Sequence, residues 1–306
     1  MRDPQGVDIF VHHWLPEDNN MTVKGIVLIS HGMAETAERY TRFASELVRH
    51  GYIVYAHDQR GHGQTAGHIH NLGYLGEDGF NWMVRNIIQL KTLITQKHPG
   101  LPLFLLGHSM GSFLTQKVMY DSPEGFSGFI LSGTNGKQSM LKAAKAIALL
   151  QSKLQGVRHP SVLLNTLIFG GYNRAFSPAR TAFDWLSRDP DEVDKYIDDP
   201  YCGAISSSDF FLNFFRLLEE IHRPANMAKI QKDIPIYVFS GDQDPVGMNG
   251  KGVKRLVTVY RELGLQDIEC KLYPGGRHEM LNEINRDEVT HDVIAWLNRH
   301  LPNYAS

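Results

Sequence analysis

Short apolar runs alternate with longer segments of helical periodicity along most of the chain. The apolar runs predict strands at residues 25–30, 52–58, 101–107, 128–133, 234–242 and 268–276. Apolar residues at helical spacing predict helices at residues 39–50, 79–98, 112–120, 250–263 and 287–300. Because the strands are apolar throughout and helices separate them, we expect an α/β fold with a mostly parallel central sheet and helices on both faces.

The alternation of strands and helices is interrupted between residues 135 and 233. This stretch contains three patterns of helical spacing, joined by polar loops with prolines, at residues 139–156, 161–171 and 209–224. A structureless loop of this length is uncommon inside a compact domain. We therefore expect residues 136–233 to form a helical lid over the carboxyl edge of the sheet, inserted into a core made of residues 1–135 and 234–306.

The composition is that of an ordinary globular protein, with 306 residues of which 42% are hydrophobic and 21% charged. The formal net charge is −2 and no long basic run is present, which argues against nucleic-acid binding. The cysteines, Cys202 and Cys270, favour free thiols in a reducing compartment. No signal-peptide core and no apolar stretch of the roughly 20 residues that cross a bilayer is found, so we expect a cytoplasmic protein.

The strongest candidate for chemistry is the pentapeptide Gly107-His108-Ser109-Met110-Gly111, which fits the pattern G-x-S-x-G. It lies between a predicted strand and a predicted helix, the setting in which such a serine acts as a nucleophile. The sharp turn lifts the hydroxyl clear of the sheet, and glycine on each side avoids a collision. An ordinary glycine–serine turn is the alternative, and the flanking strand and helix favour the nucleophile.

A serine nucleophile needs a base, and the loop after the last predicted strand, YPGGRHEMLNE, contains His278. A surface histidine is the ordinary alternative in a chain with 15 histidines. The chain order of the motif is serine, acid, histidine, and His278 is the only histidine between the last strand and the last helix. The acid then belongs to VFSGDQDPVG, which offers Asp242 and Asp244. We favour Asp244 because it lies further beyond Gly241, while the other aspartate suits a turn or a helix cap.

Two backbone amides are expected to stabilise the oxyanion that forms when the serine attacks a carbonyl group. One belongs to Met110, directly after the nucleophile, where the following helix also points its N-terminal amides. The other comes from the loop after an earlier strand, ISHGMAE, in which Met33 is the expected donor. Simple filling of the core is the alternative role for both methionines.

These segments together resemble the α/β-hydrolases of the monoacylglycerol lipase and lysophospholipase type. The motifs HGMAE, HDQRGHGQTAG, LLGHSMGS, SGDQDPV and YPGGRHEMLNE occur in the order and at the spacing of that family, over nearly the whole predicted core. The resemblance implies an α/β-hydrolase fold with a helical lid, without a cofactor or a metal. It also implies Ser109 as the nucleophile, His278 as the base, Asp244 as the acid, and Met33 and Met110 as the oxyanion donors.

Other motifs indicate no further chemistry. Four neighbouring histidines lack the spacing of a metal-binding motif: His57, His62, His68 and His70. We expect Asp58 and Arg60 to hold their loop by a local ion pair and hydrogen bonds. GQTAG is not followed by the GK[ST] of a P-loop, and the glycines of SHGMAE and GHSMGS do not form G-x-G-x-x-G, so nucleotide binding is not expected.

Two patterns of the predicted lid are relevant to a lipid ligand. LKAAKAIALLQSKL places lysines among apolar residues at helical spacing. The ordinary interpretation is a helix packed on the core, and the alternative is a helix whose apolar face makes transient contact with lipid aggregates. FFLNFFRLL is strongly aromatic and is the best candidate for contact with a fatty chain.

The resemblance implies a serine hydrolase that cleaves carboxylic esters of lipid origin, such as monoacylglycerols or lysophospholipids, through an acyl-enzyme on Ser109. Three alternatives stay open. An aminopeptidase or amidase of the same fold would need an acidic group for the substrate amine, and the predicted lid offers Asp189, Asp191, Glu192 and Asp194. A short-chain or aromatic-acid esterase would differ in acyl length. A non-catalytic binding protein would keep only the scaffold.

Overall fold

A seven-stranded sheet forms the centre of the molecule in the computed structural model, which describes residues 1–17, 21–138 and 141–301. Its strands are β1 (Val11–Trp14), β2 (Gly25–Ser30), β3 (Tyr52–His57), β4 (Leu103–His108), β5 (Gly128–Ser132), β6 (Ile236–Gly241) and β7 (Ile268–Tyr273). Their order across the sheet is β1-β3-β2-β4-β5-β6-β7, with β1 antiparallel to β3 and the other pairs parallel. The expected α/β class with a mostly parallel sheet is confirmed.

The edge strand β1 was not predicted from the sequence. Its sequence, VHHW, is short and contains two histidines, so it is not an apolar run. Each of its four residues pairs with β3 on one side only, and none of them is buried. An edge strand of this kind can be polar because one side of it faces away from the sheet, and hydrophobic periodicity therefore gives no signal for it.

The central strands are apolar because both faces of the sheet are covered. Every residue of β2 is buried, and alternate residues belong to two different cores. Ile26 and Leu28 face one core, whereas Val27 and Ile29 face the other. The sheet therefore has a continuous apolar layer on each side.

Helices flank the sheet on both faces. They are α1 (Thr41–Arg49), α2 (Gly79–Lys97), α3 (Met110–Asp121), α9 (Lys251–Glu262) and α10 (Arg286–Arg299). The buried side chains of α1 and α10 belong to the core that contains Val27, and those of α2, α3 and α9 belong to the core that contains Ile26. All five of these helices were predicted from apolar spacing.

Further helices lie in the chain between β5 and β6. They are α4 (Leu141–Gln155), α5 (Val162–Phe169), α6 (Pro190–Asp198), α7 (Ser208–Ile221) and the short α8 (Pro224–Met227). Helix α7 packs on α2 and α3, and α4 packs on α7. Helices were predicted at α4, α5 and α7, whereas α6 and the short α8 were missed. In α6 only Val193 and Tyr196 are buried, and most of its residues are charged.

Two smaller observations complete the fold. None of the helices in the described part of the chain is long and apolar enough to cross a membrane. Cys202 and Cys270 are both free thiols, as the sequence analysis expected.

Candidate active site

Ser109 occupies a strained turn between β4 and α3. Strand β4 ends at His108 and α3 begins at Met110, so a single residue joins them. Ser109 has φ 50° and ψ −118°, a conformation that residues other than glycine rarely adopt. Glycine is required on both sides, because a Cβ atom on Gly107 would overlap Oγ1 of Thr115, and one on Gly111 would overlap the carbonyl oxygen of Ser30. The turn therefore has the geometry that the G-x-S-x-G motif predicts.

A substitution tests how tightly this turn is packed. Gly111→Ala should lower the free energy of unfolding by roughly 1–3 kcal/mol, because the added methyl group meets the backbone of β2, which has no room to move. Gly171→Ala is the matched control, since its added Cβ would have only Arg174 at 4.0 Å. Urea unfolding measures both variants. Equal stability of the two would show that the turn is not tightly packed against β2.

His278 and Asp244 form a buried pair at the carboxyl edge of the sheet, where Ser109 also lies. Nδ1 of His278 lies 3.0 Å from Oδ1 of Asp244. The carboxylate also accepts hydrogen bonds from Ser240 Oγ, at 2.8 Å, and from the amide of Val246, at 2.9 Å. Because the carboxylate is an acceptor, the shared proton belongs to Nδ1, which leaves Nε2 free to act as a base.

Burial and charge act in opposite directions on this pair. Burial would raise the pKa of Asp244, but the attraction of His278 and the hydrogen bonds lower it below its usual value. Burial would likewise lower the pKa of His278, but Asp244 raises it above its usual value. The rings of Trp185 and His108 lie 5.1 and 4.8 Å from the imidazole and limit its movement. The imidazole is therefore both oriented and made more basic.

The neighbouring aspartate has a different environment. Asp242 accepts hydrogen bonds from the amide of Gly275, at 2.8 Å, and from the side chain of Gln243, at 3.1 Å. The bond from Gly275 ties the loop after β6 to the loop after β7. Of the two candidate acids, the structure places Asp244 against the histidine and Asp242 in a turn.

The two predicted oxyanion donors, Met33 and Met110, line the same cavity as the serine. Met110 is the first residue of α3, so its amide points out of the helix end without an intrahelical acceptor. Met33 lies in the loop after β2, next to Gly32. A Cβ atom built on Gly32 would lie 3.2 Å from Cβ of Ser109, which shows how close this loop comes to the turn.

One cavity brings these groups together. Its volume is about 380 Å³, and its lining includes Ser109, His278, Met33 and Met110. Other parts of its wall are apolar: Phe113, Ile168, Phe169, Phe214, Phe215 and Leu218. Three of these, Phe214, Phe215 and Leu218, belong to the aromatic motif FFLNFFRLL, which therefore does contribute to the cavity. Within the described residues Ser109 Oγ makes no hydrogen bond, which leaves it exposed to a ligand.

Comparison with known proteins decides the family. A sequence model of the family described as serine aminopeptidase, S33, matches residues 21–285. The chain belongs to this family. It is 29% identical over 301 residues to a monoacylglycerol lipase of Mycolicibacterium smegmatis, with 97% of this chain and 95% of that protein covered. It is 33% identical over 300 residues to a monoglyceride lipase homolog of Monkeypox virus, with 94% of each covered.

A solved structure agrees with this assignment. The chain superposes on a highly thermostable carboxyl esterase from Bacillus coagulans, crystallised in complex with glycerol, with a TM-score of 0.90. The two share 29% identity, and the superposition covers 98% of this chain and 97% of that one. The S33 protein is thus an α/β-hydrolase of the monoacylglycerol lipase type, as the sequence resemblance implied.

Part of the S33 site was missed by the sequence analysis. Glu35 and Glu279 both line the cavity, and Arg39 lies between them. Glu35 and Arg39 fall one helical turn apart, and Glu279 directly follows His278. The i, i+4 spacing of Glu35 and Arg39 is the only sign of this charge group in the sequence. It does not indicate that Glu279, 240 residues from Arg39, is the third member.

The loop of the S33 protein that contains HDQRGHGQTAG is held differently from the expectation. Arg60 does not pair with Asp58 but with Asp3, near the N-terminus, and it also donates to Gln5 at 2.7 Å. Asp58 instead accepts the amides of Ala37 and Gln64, at 2.9 and 2.8 Å. The expected local ion pair is wrong because a fully buried acid from a distant segment lies closer to the guanidinium than its sequence neighbour.

The four histidines considered for a metal separate into two environments. His57 and His62 are buried, and burial lowers the pKa of each to about 3, so both are neutral at ordinary pH. His68 and His70 lie on the surface, with their rings stacked 4.7 Å apart. The structure therefore does not bring the four together.

Proposed function

We propose that Ser109, His278 and Asp244 act as a catalytic triad that hydrolyses carboxylic esters of lipid origin. The observation that carries the proposal is the His278–Asp244 pair, which opens into the cavity that contains the strained serine. A monoacylglycerol lipase with 29% identity and a monoglyceride lipase homolog with 33% identity, each over almost the whole chain, support the same chemistry. No step of this reaction calls for a metal or a cofactor.

The reaction proceeds in two halves. Oγ of Ser109 attacks the ester carbonyl while Nε2 of His278 takes its proton. The carbonyl electrons move onto oxygen, where the amides of Met33 and Met110 stabilise the negative charge. His278 then gives its proton to the leaving alcohol, and an acyl group remains on the serine. Water repeats the sequence with His278 as base, releasing the fatty acid and restoring the hydroxyl.

The cavity favours an ester with a fatty acyl chain. Its wall contains five phenylalanines together with isoleucine, leucine and methionine side chains, which give a chain apolar contact but no hydrogen bonds. A volume of about 380 Å³ lies within the range of ordinary ligand pockets. Polar groups at Ser109 and His278 are suited to the ester.

The site gives less support for an aminopeptidase activity, which the family description suggests. Of the acids considered for an amine, Asp189 pairs with Arg286 at 2.5 Å and Asp194 pairs with Arg180 at 2.7 Å. Neither they nor Asp191 and Glu192 belong to the cavity wall. The carboxylates that do line the wall, Glu35 and Glu279, are already bonded to a buried arginine. A substrate amine would therefore have to displace an existing ion pair.

A comparison of substrates tests the proposal. We expect hydrolysis of monoacylglycerols with medium or long chains to exceed that of a proline nitroanilide and that of a short or aromatic ester, compared as kcat/KM. Lysophosphatidylcholine, assayed beside them, distinguishes the two lipid classes. A higher kcat/KM for the proline nitroanilide would favour the aminopeptidase. A kcat/KM that is highest for the ester with the shortest acyl chain would favour a short-chain esterase. No turnover of any of these substrates would favour a binding protein.

We also propose that residues 136–233 form a lid and that its outer surface makes transient contact with lipid aggregates. Helices α4 and α5 expose a cluster of apolar side chains, which we call the lid patch: Leu149, Leu150, Leu154, Val162, Leu163 and Leu167. Leu154 is 75% exposed and Leu167 is 60% exposed. Exposed apolar residues grouped in this way are typical of a surface that meets a membrane or another partner.

Leu154→Glu should weaken binding to aggregated substrate. We expect the apparent KM for micellar monoacylglycerol to rise by about tenfold, because a charge replaces a leucine that would enter the lipid surface. Turnover of a soluble ester should not change, since Leu154 is not part of the cavity wall. Leu93→Glu is the matched control, a 44% exposed leucine on α2 outside the lid patch. Equal effects of the two substitutions would contradict lipid contact through the lid.

A further inference from the structure

A buried group of charges links the loop after β2 to the segment that carries His278. Arg39 Nη1 and Nη2 donate to the two carboxylate oxygens of Glu279, at 2.6 and 2.7 Å. Nη1 of the same guanidinium also donates to Glu35, at 2.9 Å. One arginine thus bridges two carboxylates that lie far apart in the sequence, and we call these three residues the Glu35–Arg39–Glu279 bridge.

Glu35 also holds the loop that contains Met33. Its Oε1 accepts the amide of Gly32, at 2.5 Å, and the hydroxyl of Tyr40, at 3.0 Å. The carboxylate therefore binds the backbone of the residue directly before Met33. A Cβ atom on Gly32 would lie 2.6 Å from this oxygen, so only glycine lets the carboxylate come so close.

The other end of the Met33 loop is held by residues from the chain between β5 and β6. Ala34 has φ 56°, in the left-handed region that residues other than glycine rarely occupy. Its carbonyl oxygen accepts hydrogen bonds from Tyr196 Oη, at 3.0 Å, and from the amide of Gly203, at 2.9 Å. The guanidinium of Arg39 lies over the ring of the same tyrosine, 4.9 Å from its centroid. Met33 therefore lies between Gly32, which is bound by Glu35, and Ala34, which is bound by Tyr196. Arg39 contacts both Glu35 and Tyr196.

The bridge is charged although it is buried. Glu35 and Glu279 are only 3% and 6% exposed. Burial would raise the pKa of Glu279, but the charge and hydrogen bonds of Arg39 lower it to about 2. Burial opposes the charge of Arg39, and the two carboxylates nevertheless raise its pKa further. Buried charges of this kind persist only where their partners are held in fixed positions.

We propose that Glu35 is a positioning residue for the oxyanion site, and that the Glu35–Arg39–Glu279 bridge holds the Met33 amide and the His278 segment as one rigid unit. The inference rests on the proposed function. An oxyanion donor acts only when it lies about 2.7–3.1 Å from the developing charge. Glu35 sets the position of the Met33 amide through Gly32, and Arg39 ties that position to the residue that follows the base.

The experiment measures kcat and KM for a soluble nitrophenyl ester, with kcat expressed per serine labelled by a fluorophosphonate at completion. Misfolded protein lowers the labelled fraction without changing kcat per labelled site. We expect Glu35→Ala to lower kcat per site by about tenfold to hundredfold, since a small displacement of a catalytic donor has effects of that size. KM should stay within about threefold, because the amide acts on the transition state.

Two further variants keep the test decisive if the alanine variant does not fold. Glu35→Gln keeps an oxygen at the place where Gly32 donates, and it should recover part of the kcat lost in Glu35→Ala. Arg39→Lys keeps a positive charge but cannot form the two-pronged contact with Glu279, and it should lower kcat per site by about tenfold.

Arg42→Gln is the matched control. Arg42 donates to the carbonyl oxygen of Leu281, at 2.8 Å, so it also ties α1 to the segment after His278, but it does not reach the loop at Met33. It should lower stability and leave kcat per site unchanged. Parental kcat per site in Glu35→Ala, or in Arg39→Lys if the alanine variant does not fold, would overturn the inference, as would an equal loss in Arg42→Gln. Failure of the parent protein to label or to hydrolyse esters would instead contradict the proposed function.

Discussion

Ser109→Ala should lower kcat for ester hydrolysis by about 10⁶-fold, the size of effect seen when the nucleophile of a serine hydrolase is removed. The strained turn holds this hydroxyl in the cavity, where we propose that it forms the acyl-enzyme. Binding of a monoacylglycerol should persist, because the apolar wall is unchanged. Release of fatty acid from a monoacylglycerol measures the loss, and the parent protein is assayed alongside.

Ser122→Ala is the control for this substitution. Ser122 lies at the other end of α3, beyond its last residue, and it takes no part in the cavity wall. Its replacement should leave kcat at the parental value. If Ser109→Ala kept even a tenth of the parental kcat, the acyl-enzyme would have to form elsewhere and the triad would be wrong.

Asp244→Asn should lower kcat by about 10⁴-fold, because an amide can donate to Nδ1 of His278 and so favour the wrong tautomer. The substitution keeps the size of the side chain and the hydrogen bond from Ser240, so the fold should survive. Asp242→Asn is the matched control on the same loop, since that carboxylate contacts a turn and not the histidine. Hydrolysis of a soluble nitrophenyl ester measures both variants.

The pH profile gives a second test of the same pair. His278 acts as a base only when it is neutral, so kcat/KM should fall as pH drops through its pKa. Asp244 raises this pKa above the usual value, so the loss of activity in the parent should begin above pH 6.5. In Asp244→Asn the attraction is gone and burial remains, so the acidic limb should move to lower pH. An unchanged limb would contradict the assignment of Asp244 as the acid.

The placement of the three proposed triad residues could be predicted from the sequence because each of them follows the end of a strand. Ser109 follows β4, Asp244 follows β6 and His278 follows β7, and parallel strands bring their carboxyl ends to one edge of the sheet. The apolar runs that define these strands are the strongest local signal in the chain. The six parallel strands, the glycines of the turn and the position of the histidine loop therefore followed from patterns that are visible without coordinates.

The Glu35–Arg39–Glu279 bridge could not be predicted in that way. Its partners lie 240 residues apart, and no periodicity connects them. The same is true of Arg60, which pairs with Asp3 and not with the acid two positions before it. An ion pair depends on which side chains the fold brings together. The order of charges along the sequence does not indicate which distant segments will meet. Strand β1 and helix α6 were missed for a different reason, since neither has enough buried apolar residues.

The most direct test of the account is mass spectrometry of the protein after brief exposure to a fluorophosphonate, followed by peptide mapping. We expect one phosphonyl group per chain, attached to Ser109, and a much slower reaction with the fluorophosphonate in Asp244→Asn. An adduct on a different residue, or no adduct on a folded protein that still hydrolyses monoacylglycerol, would contradict the claim that this serine is activated by the His278–Asp244 pair.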